Sequence, residues 1–295
     1  MAAVAIIGAG PAGLAMAIQL KRYGINPVVY ECRQPGGLLW NANLVENYPG
    51  FPGGIRGPEL VRLLVEQARE TGVEITYEEV TSLDCKGNVF SLRSGQKRYQ
   101  YGWVAIASGT RPVMAPLKDL PVETKKYIHY EVYPLLNLKW KKIVIVGAGD
   151  AAFDYALNLA WQNEVTILNR GSEKSCLPLL YERVQDHPNI TYMQNIGVSQ
   201  VELDDVLSQL QLTCTSPAGM RKLVADYLLF AIGREPRLGF LSENLIQSQE
   251  ELVESGRLFL IGDVKNDIYR QTAIAVGDGI MAAMKLYRFS KNSCV

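Results

Sequence analysis

One strand–turn–helix–strand pattern occurs twice in these 295 residues, and it restricts the fold more than any other feature. In the first copy the apolar run Val4–Ile7 meets Gly8-Ala9-Gly10-Pro11-Ala12-Gly13. An apolar helix follows to about Tyr23, then a second strand, Pro27–Glu31. In the second copy Ile143–Val146 meets Gly147-Ala148-Gly149-Asp150-Ala151-Ala152, a helix runs to about Trp161, and a strand spans Glu164–Asn169. Each copy is closed later by an apolar strand ending in glycine, Trp103–Gly109 and Tyr227–Gly233. This is the βαβ arrangement of nucleotide-binding folds. It predicts an α/β protein with two Rossmann-like, three-layer (ββα) domains. Glu74–Leu83 and Val89–Tyr101 alternate in polarity and read as antiparallel strands inserted into the first domain. Residues 111–140 carry Pro112, Pro116, Pro121 and Pro134, the composition of a connector.

Each glycine of the first turn has a physical task. Gly8 permits the tight turn, Gly10 lets backbone approach a pyrophosphate, and Gly13 lets helix pack on strand. The helix that opens at Pro11 and Ala12 then offers free N–H groups and a positive dipole end to the anion. Glu31 ends the next strand, 18 residues after Gly13, close to the spacing of a carboxylate that binds a ribose diol. A tight turn without ligand is the alternative for an isolated glycine pattern. Strand, turn, helix, strand and acid in order argue against it.

Composition excludes several classes. The formal net charge is zero, so no global field draws the chain to nucleic acid or anionic membrane. No apolar run approaches the roughly 20 residues that span a bilayer. Met1–Ile7 lacks a basic leader and reads as a buried strand, which predicts a cytoplasmic protein. The five cysteines, Cys32, Cys85, Cys176, Cys214 and Cys294, are odd in number and scattered. They suit neither a disulfide framework nor paired zinc ligands, and read as apolar fillers or inert thiols. With only His129 and His187 besides, no metal site is expected.

The remaining pieces carry a family resemblance. Gly36-Gly37-Leu38, followed by Val45-Glu46-Asn47-Tyr48-Pro49-Gly50, resembles the flavin-binding stretch of low-molecular-weight thioredoxin reductases. Ile106-Ala107-Ser108-Gly109 is similar to the A-T-G segment that closes their FAD domain, with Ser replacing Thr. Leu260-Ile261-Gly262-Asp263, with Ile268-Tyr269-Arg270-Gln271-Thr272-Ala273, resembles their last FAD motif. The resemblance implies a discontinuous FAD-binding domain, residues 1–115 and 240–295, and an NAD(P)-binding-like domain, residues 116–239. It implies FAD held by Gly8, Gly10, Pro11, Ala12, Gly13, Glu31, Gly37, Leu38, Leu39, Asn47, Val80, Ala107, Ser108, Gly109, Asp263, Gln271, Thr272 and Ala273. Asp263 would accept from ribityl or ribose hydroxyls. The helix starting at Gln271 would point its N-terminus at the flavin pyrimidine edge and stabilise the reduced, anionic ring. Gly277 and Gly279 weaken that helix and suggest close backbone packing.

Two departures bear on function. The family places C-x-x-C shortly before the second glycine turn, where this chain has Tyr130-Glu131-Val132-Tyr133. Disulfide exchange requires a thiolate attacking sulfur, which a phenol does not supply. Thioredoxin reduction through such a relay is therefore not expected. His129-Tyr130-Glu131-Val132, Leu138–Lys142, Gly149–Ala152 and Ala156–Leu159 resemble the thioredoxin-reductase-like ferredoxin–NADP reductases, which also lack the pair. Those usually carry a C-terminal extension with an aromatic ring over the flavin, which is not expected here from the few residues after Tyr287-Arg288-Phe289, and Tyr269-Arg270-Gln271 is closer to true thioredoxin reductases.

The second departure concerns nicotinamide. The turn Gly147-x-Gly149-x-x-Ala152 is intact, with Gly149, Asp150 and Ala151 as candidates for the pyrophosphate. Asp150 also reads as a helix-start charge. NADPH-specific members continue with His-Arg-Arg and a further Arg that clamp the 2′-phosphate. Here Asn169-Arg170-Gly171-Ser172-Glu173-Lys174-Ser175 retains Arg170, with Lys174 as an aid, and Asn169 lacks the charge of an NAD-type acid. Arg234 and Arg237 are either further cations for an adenosine phosphate or solvated surface.

Three residues near the replaced pair are catalytic candidates. His129 offers a proton or hydrogen bond to flavin or acceptor, although a structural histidine is the better reading. Tyr130 and Tyr133 either pack near the isoalloxazine or pack a hinge. Lys139, Lys141 and Lys142 either guide an acidic carrier such as ferredoxin or flavodoxin, or form a solvated turn. The expected protein is an FAD-dependent oxidoreductase passing electrons between NAD(P)H and an external acceptor: ferredoxin, flavodoxin or a small molecule. A homodimer is implied by the relatives alone. Two alternatives stay open: a flavoenzyme fed by ferredoxin or a reduced flavin-type donor without nicotinamide, and a non-enzymatic FAD-binding protein.

Overall fold

The computed structural model describes residues 3–117, 120–204 and 206–292. Met1, Ala2 and Cys294 lie outside the described residues. The chain forms two compact units: Met1–Trp40, Val45–Arg111 and Glu235–Val295 in one, Asn41–Leu44 and Pro112–Arg234 in the other.

The first unit is built on a five-stranded sheet, ordered Leu258–Leu260, Trp103–Ile106, Val4–Ile7, Pro27–Tyr30 and Ile75–Thr76, with every pair parallel. Val4–Ile7 and Trp103–Ile106 are buried along their whole length, as strands covered on both faces must be. An antiparallel sheet of Val80–Lys86, Val89–Ser94 and Lys97–Tyr101 covers one face. Its Leu83, Phe90 and Leu92 join Ala5, Ile7, Val104 and Ile106 in one core, each large side chain contributing about 1.5–3 kcal/mol of burial. Alternation predicted one antiparallel strand over Glu74–Leu83. The structure divides it, because Ile75–Thr76 pairs with Val29–Tyr30 of the parallel sheet while Val80–Lys86 starts the antiparallel one. A period of two identifies a strand but not its partner.

Helix Pro11–Arg22 packs along helix Thr272–Asn292. A Cβ on Gly279 would sit 2.2 Å from Ala12 O and 2.9 Å from Met16 N, so the expected close approach is real there. Gly277 is a correction: nothing lies within 4 Å of a Cβ built on it, and close packing does not account for it.

The second unit repeats the scheme. Its parallel sheet runs Ile190–Met193, Glu164–Leu168, Lys142–Val146, Tyr227–Phe230 and Ile128–His129. Helices Asp150–Leu159 and Pro178–Gln185 pack through Phe153, Tyr155, Ala156 and Val184. An antiparallel sheet of Gly197–Asp204, Gln209–Ser216 and Gly219–Ala225 packs through Val201, Leu210, Leu212 and Cys214 against Val144, Leu228 and Phe230.

Candidate functional sites

In the first unit the expected residues follow the carboxyl ends of parallel strands: Gly8 after Ile7, Glu31 after Tyr30, Ala107–Gly109 after Ile106, and Asp263 shortly after Leu260. Parallel strands place all these ends on one edge, where open α/β sheets bind ligands. Gly8 has φ +108°, and a Cβ there would meet Ala107 O at 2.3 Å; one on Gly13 would meet Gly8 O at 2.0 Å. The turn therefore admits only glycine at both positions. Gly10 and Gly37 face each other, with a Cβ on Gly37 3.4 Å from Gly10 Cα, and Gly36 N donates to Ala9 O at 2.8 Å. The entry to helix Pro11–Arg22 is thus lined by bare backbone. Pro11 opens the helix, no side chain caps it and no acid lies in its first turn. This cradle fits a dinucleotide pyrophosphate.

Glu31 is drawn to the same turn. Its Oε2 accepts from Ala9 N at 2.9 Å and its Oε1 from Arg33 N at 3.0 Å. Ser108 Oγ donates to Arg237 O at 2.7 Å, which pins the closing segment. Asn47 Nδ2 donates to Gln271 Oε1 at 2.7 Å, joining two expected flavin residues 224 positions apart. Asp263 lies in the short helix Gly262–Val264, and Gln271 immediately precedes helix Thr272–Asn292, followed by Ala273 in its first turn. Leu38 and buried Leu39 lie in the short helix Gly37–Asn41. Val80 lies in the hydrophobic core, where packing explains it.

The second unit repeats the turn. A Cβ on Gly147 would meet Ala231 O at 2.4 Å, the counterpart of Gly8 against Ala107. Helix Asp150–Leu159, with Ala151 in its first turn, starts at Gly149 without a side-chain cap. Asp150 Oδ1 accepts from Leu177 N at 2.7 Å, and Ser175 N donates to Ala148 O at 2.9 Å. Asp150 thus latches the loop after strand Glu164–Leu168 onto the turn, a role beyond that of a helix-start charge. Buried Asn169 shapes that loop. Its Oδ1 accepts from Gly171 N, and its Nδ2 donates to Glu173 O and Tyr192 Oη. Arg170 is exposed beside it. The other cations are engaged elsewhere. Lys174 Nζ lies 3.9 Å from the Tyr181 ring centre, Arg234 pairs with Glu131 at 3.2 Å, and Arg237 belongs to the first unit, paired with Glu79 at 2.6 Å.

Tyr130 stacks on Phe230 with ring centres 5.6 Å apart, and its hydroxyl accepts from Ala115 N at 3.2 Å. Tyr133 is part-exposed, and its backbone N donates to Asn41 Oδ1 at 3.0 Å. Asn41, only 3% exposed, has no motif to announce it and was not legible in the sequence. His129 sits on the edge strand beside Tyr227, ring centres 5.8 Å apart. Burial lowers its pKa, opposed by a hydrogen bond with the Lys126 backbone. Its Nε2 is buried without a hydrogen-bond partner among the described residues. Lys139, Lys141 and Lys142 gather where strand Lys142–Val146 begins, at the edge opposite its glycine turn. The cluster does not border the nucleotide-binding end of its own unit.

Cys32, Cys85, Cys176 and Cys214 are free thiols. Burial raises the pKa of the last three and keeps them as weakly reactive thiols. Among the described residues no group of three or more His, Cys, Asp or Glu is placed to hold a metal. No described helix is long and apolar enough to cross a membrane.

The model of the pyridine nucleotide-disulphide oxidoreductase family matches residues 2–279. The chain belongs to this family. It is similar to the thioredoxin reductase of Mycolicibacterium smegmatis, 30% identical over 97% of this chain and 96% of that protein. It is also similar to the thioredoxin reductase of Spironucleus barkhanus, 29% identical over 96% of this chain and 97% of that protein. Among solved structures, the thioredoxin reductase of Lactococcus lactis shares the fold with a TM-score of 0.87, at 24% identity, over 99% of this chain and all of that one. The bacillithiol disulfide reductase Bdr of Staphylococcus aureus shares it with a TM-score of 0.74 at 19% identity, over 99% of this chain and 98% of that one. The fold is the two-domain Rossmann type of thioredoxin reductases, a family of flavoproteins that use FAD and NADPH.

Proposed function

We propose that this chain is an FAD-dependent oxidoreductase that takes electrons from NAD(P)H and delivers them to an external acceptor without a C-x-x-C relay. Tyr130 and Tyr133 carry the reading, because they stand where the family's cysteines belong. Tyr130 is also committed to Phe230 and the Ala115 backbone. In this reading the first unit binds FAD, the pyrophosphate on Gly8–Gly13 and the adenosine ribose on Glu31. Bound FAD supplies the redox chemistry. Asn47 and Gln271 brace each other at the flavin, while Asp263 meets the ribityl chain.

The second unit takes the nicotinamide dinucleotide on Gly147–Ala152, with Arg170 as the remaining contact to a 2′-phosphate. Ferredoxin, flavodoxin or a small oxidant serves as acceptor. The enzyme is read as a cytoplasmic homodimer, and free thiols fit a reducing compartment.

Anaerobic mixing with NADPH or NADH tests the reading. Bleaching of the flavin absorbance without turnover of thioredoxin is the expected result. Thioredoxin turnover would overturn the reading of the tyrosines. A flavin that bleaches only with ferredoxin or a reduced flavin would remove the nicotinamide step.

A further inference from the structure

One side chain on helix Thr272–Asn292 reaches across to the turn that carries Asp263. Asp278 Oδ2 accepts from Gly262 N at 3.1 Å and from Asn266 Nδ2 at 2.7 Å. Its Oδ1 lies 3.0 Å from Lys265 Nζ, and the Asp278 side chain is only 14% exposed. A single carboxylate thus holds three residues of Gly262–Asn266, all through charge-assisted contacts. The turn needs such an anchor. Gly262 has φ +73°, and a Cβ there would press within 2.9 Å of Ala12 Cβ, so this backbone lies directly on the helix of the first glycine turn. The residue after Asp278, Gly279, is the one whose missing side chain lets helix Thr272–Asn292 touch Ala12 O and Met16 N. Gly279 and Asp278 therefore fix two dinucleotide-binding segments to one helix, the first by close backbone approach and the second by hydrogen bonds.

We propose that Asp278 is a positioning residue for flavin binding, acting through Asp263 by locking the turn that presents it. The inference rests on the reading that the first unit binds FAD. Its mechanism is preorganisation. A turn already held in its binding conformation loses little freedom when the ligand arrives, and without the carboxylate the buried Gly262 N–H loses its acceptor.

A double-mutant cycle on the apoprotein tests it, with FAD affinity read from quenching of flavin fluorescence and apoprotein stability from calorimetry. Asp278→Ala is expected to weaken FAD binding about tenfold or more, and Asp278→Asn, which keeps one acceptor, by less. In the Asp263→Ala background the Asp278→Ala substitution should add less than about twofold, because the residue it positions is gone. Unchanged affinity in Asp278→Ala, or losses that multiply in full, would overturn the proposal, since a merely structural role gives independent effects. If Asp278→Ala does not fold, the same cycle with Asp278→Asn decides by the same criteria. A wild-type apoprotein that binds no FAD would sink the flavin reading itself. That result is distinct from a wild type that binds FAD while the cycle shows no coupling.

Discussion

Two glycines two positions apart, Gly277 and Gly279, show how little a residue type says without its surroundings. Both interrupt a helix, and by propensity alone each costs about 1 kcal/mol relative to alanine. Gly279 is held against Ala12 O and Met16 N, while Gly277 faces open space. Gly277→Ala should therefore raise the stability of the first unit by about 0.5–1 kcal/mol. Gly279→Ala should lower it by several times that amount, because two backbones must separate. Thermal unfolding of the two variants checks this, and equal shifts would mean that the helix contact is not as tight as it looks. His129 supplies a second residue-scale prediction. Burial depresses its folded pKa below the ordinary value of 6.5, so the unfolded chain takes up the proton first as the medium becomes acidic. Stability from this group is intact above about pH 6.5 and is lost as pH falls from there toward the depressed folded value. His129→Phe should remove that part of the acid slope in the unfolding free energy. A variant whose pH profile parallels the wild type would show that His129 does not titrate between the two states.

The glycine turns were legible at the scale of elements because part of their demand is local. A Cβ on Gly13 strikes Gly8 O within the same turn, so spacing alone carries that information, whereas the backbone that Gly8 and Gly147 would strike, Ala107 O and Ala231 O, comes from the later closing strands. The loop after strand Glu164–Leu168 was less legible. The roles of Arg234 and Lys174 are decided by Glu131 and Tyr181, and no spacing rule joins those partners. Asn169 looked like a missing charge and proves to be the residue that shapes the loop. The antiparallel sheet over Gly197–Ala225 is implied by the three-layer expectation and its middle strand Gln209–Ser216 alternates strictly through Cys214, but its outer strand Gly219–Ala225 is largely exposed and polar and carries no such signal. In the proposed reading, what this loop keeps for a 2′-phosphate is Arg170. Arg170→Ala is expected to weaken NADPH about tenfold while changing NADH little, since the lost contact is to the phosphate alone. Titration of both nucleotides checks it, and equal losses would show that Arg170 holds a part common to the two.

At the scale of the molecule, the last strand of the first unit, Leu258–Leu260, and Asp263 follow the whole second copy of the pattern. That strand pairs with Trp103–Ile106, so the first sheet is completed only after the second unit has been made. The positions where the chain passes between units, after Trp40, Leu44, Arg111 and Arg234, carry no sharp signal, since Pro112, Pro116, Pro121 and Pro134 mark only a broad connector. If each unit holds its own dinucleotide, each ligand should stabilise its own sheet. A ligand at one hundred times its dissociation constant adds about 2.7 kcal/mol to the state that binds it. Amide exchange from globally protected strands reports that gain locally. FAD added to apoprotein should slow exchange in Val4–Ile7 and Trp103–Ile106, whose amides lie in the core of the first unit. A nicotinamide dinucleotide should slow exchange in Lys142–Val146 and Tyr227–Phe230 of the second. The two glycine turns are built alike, so the assignment of one ligand to each depends on what surrounds them: Glu31 at the first, Asn169 and Arg170 at the second. FAD protecting Lys142–Val146 in preference to Val4–Ile7 would reverse that assignment.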